Sequence, residues 1–232
     1  MKLPPRLAKI AELVPSGKVV ADIGTDHALL PLYLLEQGIS DSVIAVEVGD
    51  KPFARAQKNL EDHPLGTRVD LRLGDGLQAL QPQDGVEVAV IAGLGSGTIG
   101  EILQQKPPNL DKLDTFILQP MTRPDDLRAW LPGKGFAIAH EALAKDDGRL
   151  YEIFLAVCQD GSVTKNLPFG EKLLENEDPL LKEYLDLKLG KTRLILESLS
   201  RSRRKDRDEL RRKFAKELKK LERLMDIVSK GK

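Results

Sequence analysis

Residues 19–38 read VVADIGTDHALLPLYLLEQG: an apolar, β-branched run, a turn at Gly24, and then a stretch suited to a helix. A strand that runs through a glycine turn into a helix is the arrangement that seats nucleotide-like ligands in α/β proteins. Where such a turn ordinarily carries its second glycine, this one carries Asp26 followed by His27. An acid at the mouth of the loop repels a pyrophosphate and suits a ligand that carries positive charge.

The same pattern repeats downstream. SVIAVEV (42–48), VDLRLGD (69–75), VEVAVIAG (86–93) and TFILQPM (115–121) are rich in β-branched residues, and several are apolar on both faces. That is the signature of parallel strands covered by helices. Residues 31–37, 51–62, 98–105 and 124–131 between them are long enough for crossover helices, so the spacing predicts a Rossmann-like, mostly parallel α/β sheet. FAIAHEALAKDDGRLYEIFLAV (136–157) holds Asp147-Gly148 between two extended runs, which predicts that the sheet closes with an antiparallel hairpin. The polar, turn-rich residues 158–170 read as a linker. The expected organisation is a ligand-binding domain over 1–160 and a helical domain over 171–232, with helices near 179–200 and 203–229. In the second helix Phe214, Leu218, Leu221, Met225 and Val228 form one apolar seam, and the first offers Leu181, Tyr184, Leu185, Lys188, Lys191 and Ile195 less regularly. An α-helical coiled-coil hairpin satisfies both.

The 232 residues balance 36 basic against 36 acidic side chains, but the balance hides a division. Residues 201–232 hold 14 Lys or Arg and 6 Asp or Glu, leaving 22 and 30 for the rest. An acidic body with a basic arm points to a polyanionic partner, or else to a solvated helix face. Cys158 is the only cysteine, so no disulfide framework or thiolate metal cluster is expected. The chain has no apolar run of membrane-spanning length and begins without a signal-peptide pattern, which reads as a cytoplasmic protein.

Two glycine loops compete for the ligand. Residues 95–100, GSGTIG, match the G-x-G-x-x-G formula after a strand, yet that reading needs an acid about twenty residues later at the end of the next strand, and Asp114 precedes it. From Gly24, by contrast, the next strand ends in Glu47, placed to accept hydrogen bonds from ribose hydroxyls. The third strand ends in Gly74-Asp75-Gly76, where an acid between glycines can approach an adenine amino group. Asp22, Glu47 and Asp75 should therefore converge on one rim, and an acidic rim fits the sulfonium of S-adenosylmethionine.

The run DIGTDHALLP, Glu47, GDGL, IAGLGSGTI, LQP at 118–120 and LYEI at 150–153 resemble the bacterial tRNA (adenine-22-N1)-methyltransferases, a class I S-adenosylmethionine-dependent family that ends in a coiled-coil domain. The resemblance covers nearly the whole chain. Members of that family usually read S-D-H-A-Y-L-P, A-G-M-G-G and L-Q-P-N, so Leu29 and Met121 are departures. The resemblance implies methyl transfer to N1 of an adenine in tRNA, with Asp26 catalytic. It implies a cofactor held by Asp22, Gly24, Thr25, His27, Glu47, Val48, Asp75, Gly76 and Gly93. The basic arm would then bind tRNA through Arg203, Arg204, Arg207, Arg211, Lys216, Lys219 and Lys220.

Asp26 could instead cap the helix that follows it. Pro31 would then be the fifth helical residue, where its missing N–H and its ring are costly, so the helix is expected to start later and leave Asp26 free in the loop. Adenine N1 carries no proton, so methyl transfer asks only for in-line placement and for stabilisation of charge that develops on the ring, which a fixed carboxylate supplies. His27 reads as a packing or cofactor-side residue. Other readings stay open: a class I methyltransferase acting on another RNA, a protein or a small molecule, with the hairpin serving assembly, or a non-catalytic RNA-binding scaffold. No partner membrane is expected, and a monomer is favoured.

Overall fold

A computed structural model describes residues 1–159, 171–201 and 206–230. The chain divides into two compact units, Met1–Phe169 and Gly170–Lys232. In the first unit a helix, α1 (Pro5–Glu12), precedes the strands β1 (Val20–Ile23), β2 (Val43–Glu47), β3 (Val69–Leu73), β4 (Val88–Gly95) and β5 (Thr115–Thr122). The intervening helices are α2 (Leu29–Glu36), α3 (Asp50–Glu61) and α4 (Ser96–Gln104). After β5 come α5 (Pro124–Trp130), β6 (Phe136–Asp146) and β7 (Arg149–Cys158).

These strands form one sheet in the order β3-β2-β1-β4-β5-β7-β6. The first five are parallel, and β7 joins β5 antiparallel, with β6 antiparallel to β7. The hairpin turns at Asp147 and Gly148, whose φ angles of 45° and 71° are the left-handed pair that a two-residue turn requires.

Both faces of the sheet are buried, which explains why the strands read as apolar on both sides. Ala21, Ile23, Ile44, Val46, Ala89 and Ile91 pack on one face with Ile99 and Leu103 of α4 and Leu127 of α5. Val20, Val43, Ala45, Val88 and Val90 pack on the other with Ile10 of α1, Leu30 and Leu34 of α2, and Leu60 of α3. The chain order reverses between β1 and β4, so the helices after them diverge and a crevice opens at the carboxyl ends of these strands.

At the far edge of the sheet, Arg128 of α5 is buried and ties that helix to the hairpin. It donates to Glu141 of β6 and, at 2.6 Å, to Glu152 of β7, with its guanidinium 4.8 Å from the centre of the Phe154 ring. Its pKa is held above the usual arginine value by the two carboxylates, against the opposing effect of burial.

The second unit contains α6 (Glu171–Glu175), α7 (Leu181–Arg201) and α8 (Arg207–Lys230). Helices α7 and α8 pack together, and Arg193 pairs with Glu222 across them at 3.1 Å. The expected seam of α8 is its least exposed side, centred on Leu221. The face expected for α7 needs correction after Leu185: Lys191 and Ile195 are exposed, while Leu189, Thr192 and Leu199 are buried. Adjacent apolar residues at 194–196 left the register open, and the contact with α8 selects the stripe one residue further on. Beyond residue 159, the linker expected at 158–170 lies outside the described residues. Among the described residues no helix is long and apolar enough to cross a membrane.

Candidate active site

A cavity of about 750 Å³ opens at the crevice, lined by parts of α1, the β1–α2 and β2–α3 loops, the turn after β3, and the end of β4 with the start of α4. Asp22, Gly24, Thr25, Asp26, His27, Glu47, Val48, Asp75, Gly76 and Gly93 all line it. The three acids expected at successive strand ends are therefore brought together, although their environments differ.

Asp22 is buried at 6% exposure and accepts a hydrogen bond from the Thr25 hydroxyl at 2.7 Å. Burial pushes its pKa up to about 6, and the neighbouring Glu47 adds to the rise while the Thr25 hydroxyl opposes it. Glu47, also buried, accepts three backbone N–H groups: Asp26 at 3.0 Å on Oε2, and Val48 at 2.9 Å and Gly49 at 3.3 Å on Oε1. A carboxylate has about four acceptor sites, so Oε2 keeps capacity toward the cavity. Val48 beside it is 68% exposed, an apolar platform at the cavity edge. Asp75 is exposed between Gly74, where a Cβ would lie 2.7 Å from that of Ala79, and Gly76, which has a φ of 55°. Only glycines allow that turn to close tightly around the acid.

The β1–α2 loop holds an unusual backbone. Gly24 has φ 77°, and both Asp26 (50°) and Ala28 (53°) are non-glycine residues in the left-handed region. Such conformations cost about 1–2 kcal/mol each and cluster at functional sites. Helix α2 begins at Leu29 with Ala28 as its cap residue, so Asp26 does not cap it and Pro31 sits in its first turn. Asp26 is not free, however: Arg55 of α3 donates to its Oδ1 at 2.6 Å. His27 Nε2 stands 3.6 Å from Asp26 Oδ2, and the His27 carbonyl accepts from Asn59 of α3 at 3.0 Å. Arg55 and Asn59, four apart on one helix face, thus clamp the strained loop from the side. Neither was legible in the sequence, because nothing local marks a contact with a loop 29 or 32 residues away.

The competing loop is closed by its own strand neighbour. Gly95 pairs with Thr122 of β5, the Ser96 hydroxyl donates to the carbonyls of Thr122 and Arg123, and Gly100 packs against the Trp130 ring. Gly95 and Gly100 serve packing while Gly97 faces open space, and of this loop only Thr98 lines the cavity. Of the two departures, Leu29 lines the cavity and Met121 does not.

A family model described as tRNA (adenine(22)-N(1))-methyltransferase matches residues 20–223. The chain belongs to that family. A Bacillus subtilis (strain 168) tRNA (adenine(22)-N(1))-methyltransferase is 29% identical over 238 residues, covering 100% of this chain and 99% of the relative. A Streptococcus agalactiae protein of the NADB-Rossmann superfamily superposes with a TM-score of 0.84 at 34% identity, covering 97% of this chain and 98% of that one. A Streptococcus pneumoniae protein solved in complex with S-adenosyl-L-methionine superposes with a TM-score of 0.82 at 31% identity, over 97% and 100%.

Asp22 makes a pH-dependent prediction. Its folded pKa is raised, so the stability it contributes is fully present below about pH 4, where the unfolded carboxylate titrates, and is lost as pH rises through about 6. Asp22→Asn should therefore match the wild type near pH 4 and exceed it at pH 7.5, by up to about 3 kcal/mol at about 1.4 kcal/mol per pKa unit. Urea denaturation of the ligand-free protein at the two pH values measures the difference.

Proposed function

We propose that this chain transfers a methyl group from S-adenosylmethionine to N1 of adenine 22 in tRNA, with the β1–α2 loop as its catalytic element. The observation that carries the reading is the convergence of Asp22, Glu47 and Asp75 on the cavity beneath Asp26, in a member of the tRNA (adenine(22)-N(1))-methyltransferase family.

The residues present fit the cofactor. Glu47, whose Oε2 accepts only the Asp26 N–H, would hold a ribose hydroxyl, exposed Val48 would give the adenine an apolar surface, and Asp75 would accept from its amino group. Asp22, ionised near neutral pH, and Thr25 lie on the floor where positive charge is favoured. Gly24, Gly76 and Gly93, each with positive φ, let the ligand approach the backbone closely. When bound, S-adenosylmethionine supplies the electrophilic methyl group.

Asp26 faces the target base. Arg55 holds its Oδ1, leaving Oδ2 to accept a hydrogen bond from the 6-amino group and to stabilise positive charge as it develops on the adenine ring. No base need remove a proton from N1, so His27 is assigned to packing and the cofactor side of the loop. We assign tRNA binding to the basic arm. Lys216, Lys219 and Lys220 are exposed on α8 away from its apolar seam, Arg211 is exposed in line with that seam one step before Phe214, and all four suit phosphate contacts. Arg207 is half-buried and pairs with Asp208 at 3.1 Å, so it is a weaker member of the set, while Arg203 and Arg204 lie outside the described residues. A coiled-coil geometry for α7 and α8 remains part of this proposal, as do the domain limits at 160 and 171 and a cytoplasmic location.

Incubation with labelled S-adenosylmethionine and unmodified tRNA, followed by nucleoside analysis, should yield 1-methyladenosine, and tRNA lacking adenine at position 22 should not react. Asp26→Asn keeps a residue that tolerates the left-handed backbone but removes the charge. It should lower kcat by about a hundredfold or more while cofactor affinity stays within about threefold, as befits a transition-state contact. Replacing Arg211, Lys216, Lys219 and Lys220 together by Gln should raise the KM for tRNA and leave cofactor binding unchanged. It should also flatten the log–log salt dependence of tRNA binding by about 0.7–0.9 per lost phosphate contact. An unaltered KM and salt slope would assign the arm to assembly.

A further inference from the structure

Arg6 of α1 is half-buried in the wall of the cavity, and a Cβ added to Gly93 would lie 3.8 Å from its Nη1. That nitrogen donates to Gln119 Oε1 at 2.6 Å. Gln119 is completely buried and its amide has one orientation: Oε1 also accepts the Gly93 N–H at 3.1 Å, and Nε2 donates to the Pro120 carbonyl at 2.9 Å. Turning the amide over would set its NH2 against two donors. Arg6 is thus aimed by a neutral acceptor, with the Tyr151 ring 5.8 Å from its guanidinium carbon.

Among the described residues no carboxylate pairs with Arg6. The other basic groups on the cavity wall are committed elsewhere: Arg55 is bound to Asp26, and His27 stands beside the same carboxylate. A guanidinium stays protonated and has five donors, so four of Arg6 remain after Gln119. Holding an uncompensated charge half out of water is costly, and the planar fork matches an oxyanion. Asp22, Asp26, Glu47, Asp75 and Glu101 line the same space, so an anionic group can settle there only where a cation offsets them.

We infer that Arg6, positioned by Gln119, is an oxyanion-binding residue of the cavity. The inference rests on the methyl-transfer reading, which brings two oxyanions to the site. One is the α-carboxylate of the cofactor's methionine, the only negative group on a molecule whose sulfonium and ammonium suit the acidic rim. The other is a phosphate of the target nucleotide. Both use the same fork of donors, and the experiment separates them.

Binding of S-adenosylmethionine and of 5′-methylthioadenosine, which has the adenosine and sulfur but no amino-acid carboxylate, is measured by calorimetry for the wild type, Arg6→Gln and Arg6→Lys, alongside the KM for tRNA. If Arg6 holds the carboxylate, Arg6→Gln weakens S-adenosylmethionine by about tenfold or more, as loss of hydrogen bonds to a charged group implies. Methylthioadenosine then binds all three proteins alike, and Lys restores part of the loss. If it holds the phosphate, both adenosine ligands are unaffected and the KM for tRNA rises by a similar factor. Changes under twofold in every quantity, or equal weakening of both adenosine ligands, overturn the inference and reduce Arg6 to packing on Gln119. Should Arg6→Gln fail to fold, wild-type discrimination between S-adenosylmethionine and its decarboxylated form, and its reduction in Arg6→Lys, gives the carboxylate reading, and the Arg6→Lys KM for tRNA gives the other. Absence of discrimination together with an unchanged KM overturns both. A wild type that binds no S-adenosylmethionine at all fails the methyl-transfer reading, a result distinct from a variant that binds it at full strength.

Discussion

The carboxylate of Glu47 holds the site together. It is buried at the end of β2, yet it reaches sideways to the Asp26 N–H in the β1–α2 loop and forward to the N–H groups of Val48 and Gly49. Three donors converge on one ion in a place where water would otherwise have to solvate it. The parallel register of β1 and β2 sets the distance across which this happens, since Asp22 and Ile23 stand opposite Ala45 and Val46. A loop with two non-glycine residues in the left-handed region needs such an anchor, and α3 supplies a second through Arg55 and Asn59.

This coupling has a functional consequence. The residue proposed to receive the cofactor ribose is hydrogen-bonded to the backbone of the residue proposed to receive the target base. That bond, at 3.0 Å, is the direct physical link between the two proposed roles. Meanwhile the acids of the rim are not equivalent: Asp22 is raised toward neutrality by burial, whereas Asp26 is met by a guanidinium. One cavity can in this way favour a cationic cofactor and still offer a fixed negative group to an adenine that becomes positive during the reaction.

Much of the fold was legible because its signals are local. β-branched runs marked the strands of a sheet covered on both sides, and Asp147-Gly148 marked the hairpin through the backbone angles those two residues adopt. The strand-end acids were legible because a βα turn places the end of each parallel strand on the same rim. What escaped was non-local. Arg6 meets Gln119 across 113 residues, Arg55 meets Asp26 across 29, and neither pair has a periodic or spacing signature. The exposed face of α7 escaped for another reason: consecutive apolar residues allow two helical stripes, and only contact with α8 decides between them. The Gly95 loop, set aside in the sequence because no acid follows at the end of the next strand, uses Gly95 and Gly100 to pack against β5 and Trp130.

A crystal structure of the chain with S-adenosylhomocysteine shows whether Glu47 serves at once as loop anchor and ribose acceptor at the Gly24 turn. The expected complex has a ribose hydroxyl at Glu47 Oε2, the adenine against Val48 with its amino group at Asp75, and the Asp26 N–H still bonded to Glu47. A ligand seated at the Gly95 loop, or a Glu47 carboxylate that abandons the Asp26 N–H to reach the ribose, would contradict it.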